Sequence, residues 1–267
     1  MRRSTGSAMV KAYRPSAPVR VFALAVGFFL AAPVFIIVPL SLSTSQYLEF
    51  PPPGWSLQWY RAFLGSEAWR SALGESLRLG LAVTLVATAL GTSAAYGISR
   101  MRRGRRWLVA FLLSPLIVPV VVLAISLYGL FVRIGISGGF GAILVGHAVI
   151  ATPLVVIAVI ASLHKLDPSL EKASMSLGAG PIETFLRVVV PAILPGICSG
   201  ALLAFITSFD ELVLAMFVGG TTMTLPRKIW EDLIVMIEPT QAAASTVLLA
   251  VSTALLALWA TMQRSRR

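Results

Sequence analysis

Charge is scarce in this 267-residue chain: Asp, Glu, Lys and Arg together make up 12% of it, about half the share of an average soluble domain. Six separate apolar runs then leave too few polar residues to coat a water-facing surface, which excludes an ordinary soluble fold. Cysteine and histidine are scarcer still. The single Cys198 excludes an intrachain disulfide and any CxxC metal or redox site, and two histidines cannot build a His-rich metal centre. Cys198, His147 and His164 fall on three separate segments and form no nucleophile-base motif, so the chain is not read as an enzyme. It also lacks a G-x-x-x-x-G-K-[ST] loop and cannot cradle nucleotide phosphates in that way.

Apolar surface is abundant instead. Hydrophobic residues make up 57% of the chain and the mean hydropathy is +0.86. The long runs are residues 21–42, 79–98, 107–132, 140–163, 193–217 and 242–262. Each is long enough to cross a hydrocarbon core of about 30 Å as a helix. The first follows Arg14 and Arg20 like a signal peptide. It is too long for the apolar part of one and has no clear cleavage site, so it reads as a retained helix.

The net charge of +11 does not describe a nucleic-acid surface, because the basic residues lie in short clusters beside the apolar runs. Placing both termini in the cytoplasm puts sixteen of the 22 Lys and Arg inside, five of them in residues 1–20 and five in 99–106. That bias predicts an all-α membrane protein of six transmembrane helices, N-in and C-in. The implied organisation is a basic cytoplasmic N-terminus (1–20), a six-helix domain (21–262) containing a cytoplasmic loop at 164–190, and a basic tail (263–267).

Pro33, Pro39, Pro115, Pro119 and Pro153 fall inside spans, where each removes a backbone donor and either kinks the helix as packing irregularity or serves as a hinge. Gly196 and Gly200 form a GxxxG pair in the fifth span that lets another helix approach closely. The outer connection 43–78 carries Pro51-Pro52-Pro53-Gly54 and then Trp55, Trp59, Tyr60, Phe63 and Trp69, aromatics suited to anchoring at the headgroup interface. His147 lies mid-span as either a packing residue or a proton relay. Glu231 and Asp232 beside Trp230 either line an outer gate, face an external protein partner, or lie in a solvated loop.

The inner connection is the most informative. Asp167 is a candidate N-cap with Pro168 at the first helical position, followed by an apolar stripe of Leu170, Ala173 and Leu177. Gly178 and Gly180 permit a sharp turn, Pro181 restarts a helix, and Ile182, Phe185, Val188 and Val189 form a second stripe. Two short amphipathic helices at a bend result, fitted either to a cytosolic partner or to lying flat on the bilayer.

These residues resemble a known motif. Glu171-Lys-Ala-Ser-Met-Ser-Leu-Gly178, with Gly178 thirteen residues before Pro191, is similar to the EAA loop of permease subunits of binding-protein-dependent ABC importers. The motif's small residues fall on Ala173 and Ser174, while its acidic position holds Lys172, with Glu171 one residue earlier. Ser208-Phe-Asp-Glu211, Leu225-Pro-Arg-Lys-Ile-Trp230 and Gln58-Trp-Tyr60 resemble the spermidine and putrescine branch of that family.

The resemblance implies a type I importer bundle in a bacterial inner membrane, half of a pore for a small organic cation such as a polyamine. It also implies a cytosolic ATPase dimer that binds the ATP and Mg, so that this chain needs no cofactor or metal of its own. A second permease subunit and an extracytoplasmic binding protein complete the expected set. The residues 171–174, 178, 179, 185 and 191 are then expected to couple to the ATPase, with Ala173, Ser174 and Gly178 as close-packing contacts and Phe185 as a knob.

Asp210 and Glu211 are the only acids within a span, and Asp210 is expected about 26 Å along the fifth helix from Ile193. They either attract a cation, with Trp230 and Glu231 further along the pathway, or pair with Arg or backbone groups. The competing class, an ion-gradient transporter, predicts inverted repeats that the sequence does not show.

Overall fold

The computed structural model describes residues 16–264, so the predicted basic ends lie outside it except for residues 16–20 and 263–264. The described chain is helical: α1 Ala17–Ser41, α2 Gln58–Gly65, α3 Glu67–Arg100, α4 Arg105–Leu113, α5 Val120–Arg133, α6 Phe140–Leu163, α7 Pro168–Ser176, α8 Pro181–Thr184, α9 Val190–Phe209, α10 Val213–Val218, α11 Leu225–Val235 and α12 Pro239–Arg264. Among the described residues five helices are long and apolar enough to cross a bilayer (α1, α3, α6, the continuous run from α8 through α9, and α12), and the bent pair of α4 and α5 makes a sixth when taken as one span.

The third predicted span, 107–132, is not one helix. Ser114–Leu116 tightens into a 3-10 turn after α4, and α5 then leaves at 96°. Pro115 sits in the turn and Pro119 precedes α5, so two missing amide donors within five residues break the ladder. Pro33, Pro39 and Pro153 lie singly in continuous helices. Apolar length alone did not show where that span bends.

The fifth predicted span, 193–217, also ends early. Its helix closes at Phe209, and the short α10 begins only at Val213. At its other end it begins before Ile193. The expected second short loop helix is the first turns of this same rod, which runs from Pro181 through a π-helical turn at Phe185–Val189 into α9.

The core is the trio α3, α6 and α9, packed pairwise along their lengths. Glycine sets their spacing. Val155 of α6 lies between Gly91 of α3 and Gly200 of α9: a Cβ at Gly91 would fall 2.7 Å from the Val155 Cβ, and one at Gly200 3.0 Å from the Val155 Cα. A Cβ at Gly196 would fall 2.9 Å from the Ala158 carbonyl oxygen. The GxxxG pair therefore does seat α9 on α6, where lipid supplies little drive for helices to associate and close van der Waals contact must. Around them Val83, Ala87, Ile143, Val159 and Ile193 are fully buried.

Outside the trio the helices stay apolar but uncovered. In α1, Phe22, Phe28 and Phe29 are each more than 70% exposed, and its main packing neighbour is α12. A helix apolar on all sides is matched to hydrocarbon rather than water. Two of the aromatics expected at the headgroup interface are core residues instead: Phe63 and Trp69 are buried with their rings 5.6 Å apart, at the foot of α3 beside Phe209 and Leu225. Trp55 remains 68% exposed.

Candidate functional site

Two places concentrate polar chemistry, one at each end of the trio. The first is the 164–190 connection. The Asp167 carboxylate accepts the Ser169 amide N–H at 2.9 Å and Pro168 takes the first helical position, so α7 starts where the sequence predicts. That hydrogen bond favours the ionised form and holds the Asp167 carboxyl below its ordinary value. Helix α7 ends in a Schellman motif: Gly178 has φ +92°, its N–H donates to Met175 O at 3.0 Å, and the Ala179 N–H donates to Ser174 O at 3.2 Å. A Cβ on Gly178 would meet nothing within 4 Å. Within this chain Gly178 serves backbone conformation; the close packing expected of it is not made here.

The faces of α7 are the reverse of the simple amphipathic reading. Leu170 and Ala173 are exposed, and Leu177 is 90% exposed. Glu171 is the buried residue, at 3%. Its carboxylate takes a hydrogen-bonded ion pair from Arg100 at the end of α3 and a hydrogen bond from the Tyr96 hydroxyl at 3.2 Å. The Arg100 guanidinium lies 5.0 Å above the Tyr96 ring, whose other contact is the Phe185 ring at 4.6 Å. Phe185, Tyr96, Arg100 and Glu171 thus form one stack that fastens both arms of the connection to α3. Phe185 is a knob set into this chain.

Ser174 and Thr184 add a hydroxyl contact of 3.0 Å between the arms, which explains a small polar residue at 174. Lys172, at the motif's acidic position, is exposed. Pro191 lies in the first turn of α9. The uncovered surface of the connection is mixed: Leu170, Met175, Leu177, Ile182 and Leu186 are exposed apolar residues among charged ones such as Lys172, Glu183 and Arg187.

The second place is the break after α9. Asp210 caps that helix and is exposed, not embedded in a continuous span. Glu211 accepts the Leu214 amide N–H at 3.0 Å and so starts α10. Glu231 pairs with Arg227 at 2.7 Å and Asp232 with Lys228 at 2.6 Å, both along the amphipathic α11. Glu231 and Asp232 therefore stand on a helix rather than in a solvated loop, and Trp230 beside them is 41% exposed. Of the four acids, Asp210 alone has a carboxylate that makes neither an ion pair nor a hydrogen bond to a helix-starting amide among the described residues; it caps α9 through its backbone N–H, which donates to Ile206 O at 3.1 Å. Helix α11 is tied to α3 where the Leu225 N–H donates to the Ser76 hydroxyl at 2.7 Å. Sequence reasoning missed α11, whose signals were Pro226 near its start and two opposite-charge pairs at i, i+4.

His147 is fully buried, with Nδ1 2.9 Å from the Ser208 hydroxyl, pinning α6 to the last turn of α9 before the break. Among the described residues no group of three or more His, Cys, Asp or Glu side chains is placed to hold a metal.

The structure is thus a bundle of apolar helices that carries one loop clamped to α3 by a buried carboxylate. A family model described as a binding-protein-dependent transport system inner membrane component matches residues 87–267. The chain belongs to that family, the permease subunits of ABC importers. It is 35% identical to the putrescine transport system permease protein PotI of Escherichia coli over 87% of this chain and 86% of that one. It is 29% identical to the spermidine/putrescine permease protein PotC of Haemophilus influenzae over 89% and 93%. The fold is that of a chain from a bacterial ABC transporter importing the acidic polysaccharide alginate, with TM-score 0.70, 15% identity and coverage of 94% and 99%.

Proposed function

We propose that this subunit imports a polyamine or a similar small organic cation across a bacterial inner membrane, with ATP and Mg bound and hydrolysed by a separate cytosolic ATPase dimer. The exposed apolar face of the 168–186 segment carries this reading: Leu177, Ile182 and Leu186 are uncovered although the connection beneath them is held rigidly to α3. Such a face fits a cleft in a partner protein, and closure of that partner on nucleotide would act on α3 and α9 through the Glu171 stack. Ala173, Ser174, Gly178 and Ala179 form the slim edge that lets the partner approach.

At the other end a second permease chain completes the pore and an extracytoplasmic binding protein delivers the cation. Asp210, the acid left without an ionic partner, attracts the cation at that mouth, with Trp230 nearby on α11. The resemblance to putrescine and spermidine permeases supports the substrate class.

The test is uptake of labelled putrescine into proteoliposomes holding the whole complex with its binding protein. Uptake is expected to require internal ATP, to persist with a protonophore, and to fall on the order of tenfold in Asp210→Asn with assembly unchanged. Uptake that survives loss of the ATPase but stops with the protonophore identifies an ion-driven transporter and overturns the proposal.

A further inference from the structure

The arginine-rich turn between α3 and α4 has more positive charge than its surroundings use. Three acids stand at this end, and all are occupied: Glu171 by Arg100, Glu183 by Arg187 at 2.7 Å, and Asp167 in capping α7. Arg105 contacts the His164 Nε2 at 3.0 Å. Arg102, Arg103 and Arg106 are exposed and make no ion pair among the described residues.

The helix that these arginines open leads directly to a groove. Phe111 and Leu112 of α4, with Ser114 and Pro115 of the turn that follows, form one wall of a cavity of about 460 Å³, closed by Leu90 of α3 and Val149 of α6 among others. Phe111 stands six residues, or about 9 Å, along α4 from Arg105. Trp107, between them, is 82% exposed and suited to the headgroup boundary. Apart from Ser114 and Thr152 the lining is apolar, so the groove offers hydrocarbon contacts at bilayer depth while the arginines offer a phosphate site at its surface end.

We propose that Arg102, Arg103, Arg106 and the groove between α3, α4 and α6 bind one anionic phospholipid, its phosphate on the arginines and one acyl chain against Phe111 and Pro115. The 96° bend leaves α4 standing away from α5, and the acyl chain fills the crook against α3 and α6. The site requires only that the chain spans a bilayer and does not depend on which solute it carries.

The test is electron paramagnetic resonance of the assembled importer in phosphatidylcholine membranes, doped with spin-labelled phosphatidylglycerol or spin-labelled phosphatidylcholine. Selective immobilisation of the phosphatidylglycerol probe is expected, at one added site per copy of this chain. The triple variant Arg102→Gln, Arg103→Gln, Arg106→Gln is expected to lose that selectivity, roughly fivefold for each arginine. Val145→Phe, which fills the groove from an exposed lining position, is expected to lower immobilisation of the probe while the arginines remain. Soluble glycerol phosphate at millimolar concentration is expected not to displace it.

Equal immobilisation of the two probes by the wild-type complex overturns the site, as does selectivity retained in the triple variant. Displacement by glycerol phosphate, or indifference to Val145→Phe, shows a bare phosphate site and overturns the acyl groove. Selectivity seen with the isolated chain but absent from the assembled importer shows that a protein partner covers the patch, and overturns the proposal for the working complex.

Discussion

At the arginine-rich end, Glu171 reaches Arg100 across 71 residues of sequence, whereas at the opposite end Arg227 and Lys228 each find an acid four residues along their own helix. The first arrangement joins two helices and the second stiffens one. A contact between elements carries displacement from one to the other, and a contact inside a helix does not. On the proposed reading the loop on α7 is therefore a lever attached to α3, while α11 is a strut positioned by packing, by the Ser76 contact and by the Lys228 ammonium lying 5.2 Å from the Trp69 ring centroid on α3. Both ends share the rods α6 and α9, so damage to the rods should disturb both and damage to either end should stay local.

Gly200→Val breaks the comparison most completely. The added Cβ falls 3.0 Å from the Val155 Cα, a backbone atom that cannot turn aside, and the branched side chain adds more bulk. Overpacking of this kind costs about 1–3 kcal/mol. A lower thermal unfolding midpoint in detergent and loss of transport are expected together. An unchanged midpoint would show that the close approach of α6 and α9 is not what holds the two ends in register.

Glu171→Ala separates the lever from the rod. The carboxylate is buried but the Arg100 side chain is 46% exposed, so water screens the pair and the stability loss should be about 1–2 kcal/mol, below that of a fully buried pair. Transport should suffer more, on the order of tenfold, while ATP hydrolysis by the complex continues. Glu171→Gln, which can still accept from Tyr96, should fall between the two. If uptake in Glu171→Ala matches wild type per ATP hydrolysed, the stack is not the path of coupling.

The same contrast explains what the sequence made legible. Asp167, Pro168 and Gly178 act through backbone geometry within a few residues, and the cap and turn they predict both form. Span lengths located α1, α3, α6 and α12 because hydrocarbon thickness acts on any apolar run. Hydropathy averages over a window, and so passed across the breaks at Pro115 to Pro119 and at Asp210 to Leu212, although two prolines and two carboxylates marked them. The burial of Glu171 was beyond reach, since its partners Tyr96 and Arg100 lie on another helix. The α7 stripe pointed the wrong way for a related reason: apolar residues normally face a core, and here they are left exposed at one end of the bundle while the acid turns inward.

Glu231→Gln is the smallest expected effect and the sharpest test of the strut. Its partner Arg227 is also held by the carbonyl oxygens of Gly220 at 2.8 Å and Thr222 at 3.1 Å, so neutralising the acid leaves the guanidinium with donors satisfied. Ion pairs at i, i+4 near a surface contribute about 0.3–0.5 kcal/mol, and that is the loss expected in unfolding, with uptake within twofold of wild type. Arg227→Ala should cost more than Glu231→Gln, because it also frees two carbonyls and unties the loop after α10 from α11. The double variant should then cost little beyond Arg227→Ala alone. Equal effects of the two single variants would mean that the ion pair, rather than the loop contact, is what Arg227 supplies; a large transport defect in Glu231→Gln alone would place that carboxylate in the pathway after all.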